Sequence, residues 1–148
     1  MAKRVTASVR RAAEALIKRL QRDWRLADWG VGMVWVPEME AVAEGRMVGS
    51  VSWDILHRAA TVILPVEADV RPGQVAPRQA FTVAHEMAHL LLVGMHDSFN
   101  GAIEHLSEGR RDELQERFTF ELERVCNALA GSVTGERPRQ VWDEEEQA

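Results

Sequence analysis

Val5, Val9, Ala12, Leu16 and Leu20 recur three or four residues apart, so the chain opens with an amphipathic helix predicted over about Val5 to Trp24. Gly30 and Gly32 break that period, and Val31 to Val36 reads as a short strand stopped by Pro37. Residues 38–46 are acidic and end in glycine, which suits a loop or helical turn. Met47 to Trp53 alternates imperfectly and predicts a second strand. Asp54 to Arg58 forms the connecting turn, and Ala60 to Leu64 a third strand ended by Pro65. Three prolines and Gly73 make residues 65–77 an irregular crossover. Gln79 to Val93 predicts a helix closed by Gly94, and Asp112 to Ala130 a long one closed by Gly131. Met95 to Gly109 carries no clear period. Helices segregated from a few strands predict an α+β fold with a small three-stranded sheet, its strand directions left open.

The 148 residues amount to one domain, with 46% hydrophobic and 28% charged side chains, a balance that excludes a wholly disordered chain. The expected organisation is a helix over 1–28, a core over 29–133 and an acidic tail over 134–148. Apolar runs such as Leu90 to Met95 fall far short of the ~20 residues a membrane helix needs. No apolar stretch of signal-peptide type follows the basic start, and the single cysteine, Cys126, has no intrachain partner, so a cytoplasmic location is expected.

The net charge of −5 is unevenly spread. Residues 1–25 carry eight basic side chains against two acidic ones, and residues 26–135 eight against sixteen. A basic start can serve nucleic acid, but its helical apolar spacing favours an amphipathic helix docked on an acidic body, and direct nucleic-acid binding is not expected.

Residues 85–89 read His85-Glu86-Met87-Ala88-His89, an HExxH motif. Positions four apart share a helix face, so both imidazoles can hold one metal ion, and neutral imidazole suits zinc. Glu86 projects beside the metal, where a carboxylate can take a proton from a water acidified by zinc. A match by chance arises in ~2% of shuffled chains of this composition, so the context decides. Between Ala80 and Val93 the only polar residues are Thr82, His85, Glu86 and His89, one stripe on an otherwise apolar helix. A buried helix with a single polar stripe must face something polar.

The motif lacks the continuation to Gly and His that would place a third histidine at 95; Leu92 and Met95 stand there, and His96 misses by one residue. A third ligand from the later helix remains, with Glu113, Glu116, Glu121 and Glu123 as candidates. Leu114, Phe118, Leu122, Val125 and Leu129 form that helix's apolar stripe. Glu123 lies beside it with Phe120, Cys126, Asn127 and Ala130, whereas Glu121 groups with Arg117 and Arg124. A half-buried carboxylate needs a cation to offset its desolvation, so Glu123 is the preferred ligand.

The segment Arg78-Gln79-Ala80-Phe81-Thr82-Val83-Ala84 leading into the motif resembles the lead-in of the ImmA/IrrE-type metallopeptidases. Glu123-Arg124-Val125-Cys126-Asn127-Ala128-Leu129-Ala130 is similar to that family's glutamate-bearing segment. The resemblance spans roughly residues 30–131 and is specific in those two segments. It implies a zincin-like fold in which His85, His89 and Glu123 bind Zn2+ and Glu86 is the general base. It also implies a regulatory protease whose protein substrate is an Xre-type helix-turn-helix repressor.

Amide hydrolysis needs a further group to stabilise the developing oxyanion. The chain has no tyrosine, which leaves His96, His105, His57 or an arginine, with His105 the first choice because Glu104 stands beside it between the two metal helices. Cys126 reads as a small buried thiol rather than a nucleophile. The expected function is a zinc-dependent metallo-endopeptidase. The alternatives are a repressor-binding module that uses zinc as a structural staple, and a general small glutamate-type zinc protease.

Overall fold

Thr6 caps the first helix, α1 (Ala7–Asp23): its hydroxyl accepts a hydrogen bond from the Val9 N–H at 3.3 Å. The computed structural model describes residues 6–36, 49–65 and 77–135. Along them follow strands β1 (Gly30–Val36), β2 (Ser50–Asp54) and β3 (Ala59–Pro65), then helices α2 (Pro77–Leu91), α3 (Val93–Ile103) and α4 (Glu108–Thr134). The architecture is α+β. The expected loop over 38–46, most of the 65–77 crossover and the tail beyond Gly135 lie outside the described residues, as do Met47 and Val48 of the second predicted strand.

The apolar stripe of α1 is buried through Val9, Ala13, Ile17 and Leu20, and the last two join Val83, Ala84, Met87 and Leu90 of α2 in one core. The expected amphipathic helix thus docks by its apolar face, and its basic side chains take little part. Arg10, Arg11, Lys18, Arg19 and Arg22 are exposed, and the acidic partner of Arg19 and Arg22 is Asp23 of the same helix. Among the described residues no ion pair ties α1 to the rest of the domain; Arg19 donates instead to the Val133 carbonyl at 3.3 Å. Exposed ion pairs contribute little, whereas each buried Leu or Ile contributes about 1.5–3 kcal/mol, so apolar burial holds this helix.

The sheet is mixed, in the order β1-β3-β2. β1 runs parallel to β3, with Met33 opposite Val62, and β2 runs antiparallel to it, with Val51 opposite Val62. The tight turn between β2 and β3 is held by Asp54, which accepts from the backbone N–H of His57 at 3.3 Å and lies 2.7 Å from its Nδ1. Central β3 buries Ala60, Val62 and Leu64 against α2. Gln79 fastens the start of α2 to the sheet, donating from Nε2 to the Pro65 carbonyl at 2.9 Å.

α2 is wrapped on several sides: Val83, Ala84, Met87 and Ala88 have no exposed surface. Its other flank meets α4 through Ala88, Leu122 and Cys126. The helix ends earlier than its sequence suggests. At Leu92 the backbone leaves helical geometry (φ −100°, ψ 11°), and helix resumes at Val93, so Gly94 lies inside α3 instead of closing α2. α4 is likewise longer than expected. Its left-handed cap is Gly135 (φ 75°), whose N–H donates to the Gly131 carbonyl at 2.8 Å, and Gly131 is an interior residue.

Candidate metal centre

Two helices that share a buried seam bring the sequence candidates together. α2 presents His85 and His89 one turn apart, and α4 presents Glu123 across from them. Glu123 Oε2 lies 2.8 Å from His85 Nε2, and its Oε1 lies 2.7 Å from His89 Nε2. The two Nε2 atoms stand 3.2 Å apart. The His85 and His89 side chains are 12% exposed and that of Glu123 25%, so the group is sunk in the surface without being sealed.

The donor set fits zinc. Two imidazole nitrogens and one carboxylate oxygen are borderline ligands of the kind this ion takes, and three protein ligands are the complement that leaves a position open. The spacing is also that of a chelating group, because donors about 2.0–2.2 Å from one tetrahedral ion stand only a little over 3 Å apart. Without an ion both Nε2 atoms turn to the Glu123 carboxylate, at 2.8 and 2.7 Å, so all three donors converge on one point, where a cation can take their place as partner.

The protonation pattern follows from the same contacts. Burial works against the charge on Glu123, but hydrogen bonds from His85 and His89 overcome it and hold its carboxyl down at about 2. Burial likewise opposes a charged His85; the hydrogen bond to Glu123 and the nearby Glu86 and Glu123 charges outweigh it and raise its pKa. Glu86 is 5% exposed, and desolvation raises its pKa despite the opposing pull of both histidines. A carboxylate held above its ordinary range is suited to taking up a proton and giving it back.

Asn127, one turn beyond Glu123, is buried close enough to favour the protonated form of His85, whose buried Nδ1 makes no hydrogen bond. Such outer contacts orient a ligating ring. Cys126 is fully buried beside the centre, and desolvation reinforced by Glu123 and Glu86 pushes its thiol up to about 12, which excludes a thiolate nucleophile near neutrality.

A cleft of about 360 Å³ opens onto this group, lined by Gly49, Ser50, Val51 and Trp53 at the sheet edge and by His85, Glu86, His89, His96, Thr119, Leu122 and Glu123 on the helices. Gly49 is required where it stands. Its φ of +143° lies in the region that favours glycine, and a Cβ would come within 2.6 Å of Thr82 Cγ2 and 2.9 Å of the Ile63 carbonyl.

The remaining candidates separate clearly. Glu121 is exposed and paired with Arg117 at 2.9 Å, and Glu113 and Glu116 are exposed. His105, the first choice for stabilising an oxyanion, is corrected: it sits exposed in the turn between α3 and α4 and is not among the residues lining the cleft. His57 is engaged by Asp54 in the hairpin turn. The sequence reading passed over Trp53, Ser50 and Thr119, of which Thr119 was the one with a signal, standing four residues before Glu123 on the same face of α4.

No helix among the described residues is long and apolar enough to cross a membrane. Comparison with models of known protein families finds no match, and comparison with curated proteins finds none either.

Proposed function

We propose that this protein is a zinc-dependent metallopeptidase with a zincin-like arrangement of its sheet and helices. The observation that carries the reading is the meeting of His85, His89 and Glu123 beside a buried Glu86 that stands outside the ligand group. A purely structural zinc site is normally closed by four protein ligands, and a spare buried carboxylate would have no purpose there.

His85, His89 and Glu123 hold the ion. Bound there, zinc supplies Lewis acidity, polarising the scissile carbonyl and acidifying the attacking water. Glu86 takes a proton from that water as its oxygen bonds to the carbonyl carbon, then delivers it to the departing amine as the C–N bond breaks. Among the described residues β2 is the outer strand of the sheet, and its Ser50, Val51 and Trp53 line the cleft, so an extended peptide adding along it would lie beside the triad. Small polar Ser50 and apolar Val51 flank that path.

The resemblance to the ImmA/IrrE-type metallopeptidases in the lead-in to the motif and in the Glu123 segment extends the proposal to a regulatory role. The substrate would then be a protein of the Xre-type repressor class. Replacing Glu86 by Gln tests the assignment. The variant is expected to keep its zinc and lose about 10²–10⁴-fold in peptide hydrolysis, the usual worth of a general base. Undiminished cleavage would remove Glu86 from the mechanism.

A further inference from the structure

We propose that His96 is a catalytic residue: its imidazole N–H binds the oxyanion that forms as water adds to the scissile carbonyl. The inference rests on the metallopeptidase reading and adds to it the group that His105 cannot supply.

When the water oxygen bonds to the carbonyl carbon, the C=O π pair moves onto the carbonyl oxygen, which becomes an alkoxide until that pair returns and the C–N bond breaks. A donor aimed at this oxygen is worth most where water is excluded. Among the described residues that line the cleft there is no arginine, lysine or tyrosine; besides the histidines, the side-chain donors are Trp53, Ser50 and Thr119. Of the five histidines, His85 and His89 are committed to Glu123, His57 to Asp54, and His105 is outside. His96 lines the cleft, and among the described residues its ring nitrogens make no hydrogen bond.

The ring is also held. It stacks on Phe118 with 7° between planes and a centroid distance of 5.7 Å, and Phe118 in turn stacks on Phe99 at 4.1 Å. Trp53 of β2 packs on His96 in a T-shaped contact, with 5.7 Å between centroids and 76° between planes. Contacts of this kind fix a ring plane without consuming its N–H groups. Such a donor is already oriented before the charge develops, which is what oxyanion stabilisation requires. His96 lies in the first turn of the helix that resumes at Val93, just after the break at Leu92.

The test uses the zinc-loaded full chain and two probes read by calorimetry. N-phosphoryl-leucyl-tryptophan presents tetrahedral oxygens like those of the intermediate; acetohydroxamate grips the metal and lacks the tetrahedral oxygens. His96→Phe keeps the stack on Phe118 and removes the donor. It is expected to weaken the phosphoryl peptide about 10–100-fold and to leave acetohydroxamate and zinc content within about twofold, with His96→Gln recovering part of the loss. Unchanged binding of the phosphoryl peptide by His96→Phe would overturn the proposal. So would parallel loss of both probes together with zinc, which would make His96 a support of the metal. If the unaltered chain holds no zinc and binds neither probe, the metallopeptidase reading fails first, and the role of His96 with it.

Discussion

The carboxylate of Glu123 on α4 meets Nε2 of His85 on α2 at 2.8 Å, and through that contact the two longest-separated parts of the site become one chelating group. Nothing local holds Glu123 there. Its place depends on the seam below, where Ala88 packs against Leu122 and Cys126, small enough side chains for the two helices to come close.

The contact has a pH signature in the metal-free protein. Glu123, held at about 2, contributes stability that is complete above the ordinary carboxylate value near 4.3 and is lost as pH falls towards about 2. His85, whose pKa is raised, contributes stability that is complete below the ordinary histidine value near 6.5 and is lost as pH rises through its raised value. Both terms are therefore complete together between about pH 4.3 and 6.5, and each fades beyond its own end of that window. Zinc needs His85 deprotonated, so binding at pH 6.5 is expected to release protons and to strengthen as pH rises. Calorimetry in buffers of different ionisation heat measures this; a binding heat independent of buffer would contradict it.

Gly49 is expected to tolerate no side chain. Gly49→Ala adds a Cβ to a left-handed backbone and drives it onto Thr82 and the Ile63 carbonyl. A loss of about 1–3 kcal/mol in urea unfolding is predicted. Stability equal to that of the unaltered chain would mean that β2 can shift away from α2 at no cost.

The attachment of α1 separates apolar from electrostatic docking. Leu20 has no exposed surface, and Leu20→Ala is expected to cost about 2–5 kcal/mol. Raising sodium chloride from 0.1 to 1 M, which shortens the screening length from about 10 to about 3 Å, is expected to leave thermal stability undiminished. A marked fall in melting temperature over that range would show that charge holds the helix as well.

The parts of this molecule readable from sequence are those in which one helix face settles the matter. The polar stripe of α2 named His85, Glu86 and His89, and on α4 the small half-buried face separated Glu123 from Glu121, whose partner Arg117 was also foreseen. The three strands were legible from their apolar runs, but their order was not: the parallel pairing of β1 with β3 is a long-range choice that no local pattern records. α3 went unread because two glycines and several polar residues blur its period, while in the fold Val93 and Ile103 alone are buried along it. His96 and His105 both lie in the Met95 to Gly109 stretch without a clear period, so no helix face separated them. Gly94 and Gly131 misled for a related reason, since helix continues through both and the left-handed cap falls to Gly135.

The zinc content of the purified chain, measured by elemental analysis beside that of Glu123→Ala, decides whether His85, His89 and Glu123 hold a metal. One zinc ion per chain is expected in the unaltered protein and, in a variant that keeps its helical circular dichroism, an ion lost on dialysis. Full zinc retained by Glu123→Ala at unchanged affinity would contradict it.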